Sequence, residues 1–186
     1  DNREIVERAT TNLSDHVQGV PAVDIITPGL QSSHVVVRGF NNVFSSSLLV
    51  LTDNRYARVP SLRLNAYNMI PVPPLDVDRI EVVLGPASAL YGPNSANGVM
   101  HIITTSPIDA PGTSVSVTGG NRSLFSGAFR QAIRFNEKAG LKVSGQYFKA
   151  ADFKFRDPAE VATPSNPLIA NRVFDSERYG GEARFD

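Results

Sequence analysis

The sequence predicts an α+β domain, a small mixed β-sheet with short helices, followed by antiparallel β-strands of an incomplete transmembrane β-barrel. Three observations predict it. The stretch Arg79 to Thr104, RIEVVLGPASALYGPNSANGVMHIIT, reads as strand, tight helical turn, glycine-bearing loop and strand. After Ser106-Pro107 the composition changes to long runs in which apolar and polar residues alternate with period two. No apolar run approaches the ~18 residues of a transmembrane helix, whereas strands of a membrane barrel alternate and leave only weak hydropathy.

Asp1 to Thr11 shows no period and carries no assignment. From Asn12 to Val20, Leu13, Val17 and Val20 fall at helical spacing, with Asn12 or Ser14 to cap the start and Gly19 and Pro21 to end it. Val23 to Ile26 is strand-like. His34 to Phe40, HVVVRGF, is a β-rich run closed by glycine, and Asn41 to Ser47 is a polar loop with one aromatic, Phe44. Leu48 to Thr52 is the next strand, followed by a turn at Asp53-Asn54, where Asn tolerates a positive φ. Tyr56 to Pro74 carries prolines at 60, 71, 73 and 74, which exclude a central strand and predict an exposed loop of the kind that holds binding residues.

In Arg79 to Leu84 the apolar Ile80, Val82 and Leu84 alternate with Arg79, Glu81 and Val83. Gly85 turns the chain, Pro86 opens a short helix with its φ already set, and Gly92-Pro93 stops it. Val99, Met100, Ile102 and Ile103 are too continuously apolar for a surface strand and predict a central one. Pro107 to Gly112 is a linker. Leu124 to Phe135 and Leu141 to Asp152 then alternate about a turn at Asn136 to Gly140, and pairing them as a hairpin sets Phe135 opposite Leu141, Ile133 opposite Val143 and Phe129 opposite Tyr147. Each run exceeds the ~5–6 residues usual for soluble strands and meets the ~9–11 needed to cross a bilayer. A short turn on one side and the long segment Phe153 to Glu177 on the other fit a barrel better than a soluble sandwich.

Composition narrows the function classes. The 186 residues hold Lys plus Arg and Asp plus Glu in equal number, 18 each, so no global field favours nucleic acid. There is no cysteine, hence no disulfide framework or thiolate chemistry. His16, His34 and His101 show no metal-binding spacing, and no nucleophile elbow or phosphate loop is present, so we expect no enzyme, no metal and no cofactor. The chain lacks an initiating Met and ends inside an alternating run, Arg184-Phe185-Asp186, and is expected to be a cut-down piece of a longer protein.

The central stretch resembles the plug domain of TonB-dependent outer-membrane receptors, which carry an I-E-V-x-x-G-P-x-S-x-x-Y-G run and then a G-V-x-x-I-I-T run. The matching positions are Ile80, Glu81, Val82, Gly85, Pro86, Ser88, Tyr91 and Gly92, then Gly98, Val99, Ile102, Ile103 and Thr104. Leu84 departs from the family, which commonly has Arg there to hold the plug to the barrel wall. The resemblance implies a plug over residues 1–107, a linker at 108–112 and the first barrel strands at 113–186. It also implies the outer membrane of a Gram-negative bacterium, energy from TonB, and as cargo an iron siderophore, haem, cobalamin or glycan. The segment that would contact TonB by strand addition is not identifiable.

Carried over residue by residue, the ligand-binding candidates are Arg38, Gly39, Phe40, Asn41 and Tyr67. Phe44, Arg55 and Tyr56 are added because they lie in loops of the right kind and because aromatics and Arg dominate binding patches. The plainer alternative has Arg38 pairing inside the plug and the tyrosines wedging the loop. Arg130, Arg134 and Lys142 would point into the lumen, with Arg134 opposite Lys142, and the carboxylates Asp76, Asp78 and Glu81 are expected to neutralise them and dock the plug. A soluble periplasmic module with a small sandwich is the rival reading. It is separated by the expectation that the isolated 186-residue chain aggregates or needs detergent.

Overall fold

β6 (Gly98–Thr104) is the centre of the first sheet in the computed structural model, which describes residues 1–8, 10–39, 48–59, 61, 64–154 and 173–186. It pairs in parallel with β3 (Leu48–Thr52) and antiparallel with β5 (Val77–Leu84), and β4 (Arg55–Tyr56) closes the far side in the order β4-β3-β6-β5. A strand with neighbours on both edges and packing on both faces has no solvent side, which is why GVMHIIT is almost continuously apolar. One face buries Val50, Met100 and Ile102 against Leu13, Val17, Val37, Tyr67 and Val72. The other buries Leu49, Leu51 and Val99 against Ala87, covered by the short helix α2 (Ser88–Tyr91).

The N-terminal residues, unassigned from sequence, form α1 (Asn2–Glu7), held by a capping box between Asp1 and Glu4, and bury Ile5. The helix expected over Asn12 to Val20 contracts to a single 3₁₀ turn, Leu13–Val17. β1 (Val23–Gly29) and β2 (Ser32–Val37) form an antiparallel hairpin. The strand expected to reach Phe40 stops at Val37, because Arg38 and Gly39 adopt φ of 58° and 75° and leave the ladder. At the next turn both Asp53 (φ 45°) and Asn54 (φ 65°) are left-handed, the pair a tight hairpin requires. Asp53 is held there by Thr104, whose backbone N–H and hydroxyl donate to its carboxylate at 2.8 and 2.7 Å.

The second half of the proline-rich segment is not the exposed loop expected of it, although Tyr56 and Met69 are exposed. Tyr67, Ile70 and Val72 are 3%, 4% and 1% exposed and belong to the core. Proline bars a segment from a ladder but not from burial. The freed carbonyls of Asn68 and Ile70 accept from Arg178 and Gln146 at 2.6 and 3.1 Å.

β7 (Gly112–Gly120), β8 (Leu124–Asn136), β9 (Ala139–Ala151) and β10 (Asp175–Phe185) form the second large sheet, antiparallel in the order β10-β9-β8-β7. The expected hairpin register is wrong by two residues: Ile133 faces Leu141, Gln131 faces Val143 and Gly127 faces Tyr147. A bulge between Arg134 and Asn136 takes Phe135 out of the ladder and tightens the turn to Glu137-Lys138. A shift of two preserves faces. Phe125, Phe129, Ile133, Val143, Tyr179 and Phe185 therefore still share one exposed apolar face, while Arg130, Ala132, Lys142, Ser144 and Phe148 are buried against the first sheet.

Between the 3₁₀ turn and α1, burial, then Arg8 and the N-terminal ammonium, depress the pKa of His16 from 6.5 to about 4. Its Nε2 lies 2.9 Å from the Thr10 hydroxyl, and among the described residues its buried Nδ1 has no partner. A base with a depressed folded pKa binds its proton more readily when unfolded. Stability is thus lost as pH falls from 6.5 towards 4, by roughly 1 kcal/mol after discounting for solvent screening. Burial raises the Asp15 pKa and works in the opposite sense, but starting from the ordinary aspartate range, well below that of His16. The denaturant midpoint of the native chain should fall relative to that of His16→Gln between pH 7 and pH 5.

Candidate functional site

The buried seam between the two large sheets carries charge, and Asp76 is its centre. Pro74 opens a 3₁₀ turn, Pro74–Asp76, whose geometry pins Asp76 by backbone bonds to Pro73 and Thr105. The carboxylate is fully buried and receives two cations from the second sheet: Arg130 Nε at 2.8 Å and Lys142 Nζ at 2.9 Å. Lys142, itself 0% exposed, also donates to the Thr104 hydroxyl and the Thr105 carbonyl, both at 2.9 Å. It has room because the residue opposite it is Ala132. Its neighbour across β10, Arg184, reaches Thr104 at 3.0 Å, Asp53 at 3.5 Å and Asp186 at 2.6 Å. Each of these three cations is met by a carboxylate from a turn of the N-terminal half, Asp76 or Asp53.

The other residues expected in this cluster lie elsewhere. Asp78 and Glu81 both pair with Arg79, at 2.6 and 2.8 Å, on an exposed edge. Adjacency in sequence supplied them a nearer partner. Arg134 stands opposite Gly140, not Lys142, and donates to the Ile108 carbonyl at 3.3 Å from an exposed position. The two-residue register shift removes the like-charge pair that the sequence implied.

The expected ligand-binding residues do not converge. Phe40, Asn41 and Phe44 lie outside the described residues. Arg38 and Gly39 are exposed at the open end of the β1–β2 hairpin, where Arg38 N–H donates to Ala22. The hairpin tip is the other end, and there the Leu30 amide donates to Asp152 at 3.0 Å, on the side of the long 152–174 connection. Arg55 and Tyr56 are exposed; Arg55 lies 3.4 Å from Glu182, and Arg58 stacks over the Tyr56 ring at 5.7 Å. With Met69, Ile70 and Pro71 they line a cleft of about 290 Å³ against β10.

Tyr67 is a core residue and meets no solvent. Burial raises its pKa, and among the described residues its hydroxyl has no partner. Removing an unsatisfied buried hydroxyl leaves the ring's packing intact. Tyr67→Phe is therefore expected to be neutral or up to about 1 kcal/mol stabilising, whereas Tyr67→Ala loses about 3–5 kcal/mol. Urea midpoints of both variants measure this directly.

Ile80, Glu81 and Val82 lie in β5, and Ser88 and Tyr91 in α2, where they hold the fold's own backbone. Gly85 N–H donates to Asn97, Ala87 N–H to Ser95, and the Ser95 hydroxyl to Gly92, all at 2.7 to 3.0 Å. This stretch spends its donors on itself. Sequence reasoning missed Gln31, Gln146 and Arg178, polar residues at the seam near the hairpin tip; for Gln146 and Arg178 the alternation of β9 and β10 marked an inward face, and only the fold reveals what they meet.

Residues 1–99 match the family model described as TonB-dependent Receptor Plug Domain. The chain is 31% identical over 164 residues to the vitamin B12 transporter BtuB of Vibrio vulnificus (strain CMCP6), covering 84% of this chain and 25% of that protein. In fold it is similar to the copper transporter OprC, with a TM-score of 0.66 at 18% identity over 94% of this chain and 26% of that one. The FrpB iron transporter of Neisseria meningitidis gives a TM-score of 0.66 at 16% identity, over 96% of this chain and 27% of that one. The chain thus spans about a quarter of the length of the proteins it matches.

Proposed function

This chain belongs to the TonB-dependent receptors through its plug domain, and from that membership we propose that it is the gate and first wall of an outer-membrane importer for a scarce nutrient. The family consists of transporters and receptors, not enzymes. We assign residues 1–107 to the plug, 108–112 to a linker and 113–186 to the first barrel strands. Short turns of such barrels face the periplasm and long loops the outside. The Glu137-Lys138 turn is then periplasmic, and the hairpin tip at Leu30 faces outward.

The observation that carries this reading is Asp76 held between Arg130 and Lys142. A plug seated on its wall through charges and hydrogen bonds exchanges partners with water when pulled. The exposed apolar face of β8 to β10 supplies the lipid-facing side. Cargo falls within the class of iron siderophore, haem, cobalamin or glycan, and TonB supplies the energy by strand addition.

The test expresses the full receptor in a Gram-negative host with and without TonB and follows uptake of labelled cobalamin, ferric siderophore, haem and maltodextrin. Accumulation of one of them that disappears without TonB is the expected result. Equal uptake in both hosts, or recovery of the receptor from the soluble periplasm, overturns it.

A further inference from the structure

Between the plug and β10, on the outward side of the Asp76 network, lies a groove of about 340 Å³ lined by Gln31, Asn68, Met69, Gln146 and Arg178. Its wall cation differs from the others. Arg130, Lys142 and Arg184 each face a carboxylate. Among the described residues Arg178 faces none: Nη1 donates to the Asn68 carbonyl at 2.6 Å, Nη2 lies 3.5 Å from Gln146 Oε1, and buried Nε has no partner. Beneath it is the Phe148 ring, 5.9 Å away, which lowers the local polarity. Neighbouring Glu177 points to the other face, where it accepts from the Tyr147 hydroxyl. A half-buried guanidinium with a free N–H and no counter-charge attracts an anionic oxygen.

Gln31 supplies a second, complementary signal. It is 7% exposed, its Nε2 donates to the Thr11 carbonyl at 3.4 Å, and among the described residues its buried Oε1 has no partner. An unfilled acceptor calls for a donor. One groove therefore offers a cationic donor and a neutral acceptor, both unsatisfied, beside the hairpin tip that contacts Asp152.

We infer that this groove is a subsite for a hydroxycarboxylate group, its carboxylate on Arg178 and its hydroxyl donating to Gln31. The inference rests on the receptor reading and assigns that receptor an anionic, hydroxyl-bearing cargo or cargo arm. Binding at the groove needs no energy input, so it is measurable apart from transport.

The test titrates citrate, and tricarballylate as the same tricarboxylate without the hydroxyl, into the detergent-purified full receptor at fixed ionic strength, read by calorimetry and by melting temperature. Native receptor is expected to bind citrate saturably and more tightly than tricarballylate. Arg178→Gln should weaken citrate at least tenfold, Gln31→Leu should erase the preference for citrate over tricarballylate, and Arg134→Gln should change neither. If Arg178→Gln does not fold, Arg178→Lys, which keeps the charge and loses the planar fork, should still weaken citrate several-fold. No saturable citrate binding by native receptor, or native-like binding by the Arg178 variants, overturns the inference. Loss of TonB dependence with citrate binding intact overturns the receptor reading instead.

Discussion

Asp76→Asn is expected to cost about 3–5 kcal/mol, because it leaves Arg130 and Lys142 buried without the carboxylate that faces them. The amide keeps the shape and one acceptor, so the loss is of charge rather than packing. Urea unfolding of the detergent-purified receptor gives the magnitude. Limited proteolysis of the plug shows whether it leaves the wall, and sensitivity of expressing cells to a large antibiotic such as vancomycin reports the same event in vivo. Lys142→Met in the Asp76→Asn background should recover part of the loss, since it removes one of the stranded cations. Arg134→Glu, which reverses a charge outside the network, should stay within about 0.5 kcal/mol of native.

The second large effect belongs to Gly98→Ala. Gly98 sits at φ +154° opposite Leu84, and a Cβ there would collide with the Val83 carbonyl oxygen. That oxygen is backbone in the neighbouring strand and cannot swing aside. We expect a loss of more than about 3 kcal/mol, read as lowered unfolding midpoints and faster amide exchange along β5 and β6. Gly85→Ala is the informative comparison. Its Cβ meets nothing within 4 Å, so only the φ of +101° resists it, at about 1–2 kcal/mol. A similar loss at both positions would mean that backbone conformation, not the close approach of β5, sets the requirement at Gly98.

Local patterns carried much of the fold. The period-two runs at Ile80 to Leu84 and Leu124 to Phe135, the apolar run at Val99 to Ile103 and the Asp53-Asn54 turn are all statements about neighbours in the chain, and the structure keeps each of them. Tyr67 was illegible because its burial depends on donors from Gln146 and Arg178, far away in sequence. The hairpin register was illegible for a smaller reason: one bulged residue, Phe135, is invisible to a pattern that counts only alternation. Of the docking residues, Asp76, Arg130 and Lys142 meet, whereas Asp78 and Glu81 were diverted by Arg79. Arg178 and Gln31 could not be paired from sequence, since nothing local links a hairpin tip to the fourth wall strand.

The strand order β4-β3-β6-β5 has a consequence for assembly. Apart from its two-residue pairing with β4, β3 gets its ladder from β6, which is made last of the four and lies immediately before the second sheet begins. The sheet therefore nucleates late, around contacts of high sequence separation, and that topology folds slowly. Thr104 and Thr105, at the end of β6, are also the groups that Lys142 grips. Completing the first sheet and seating it on the second then become a single kinetic event, so a chain stopped before residue 104 would hold neither a finished sheet nor a docked one.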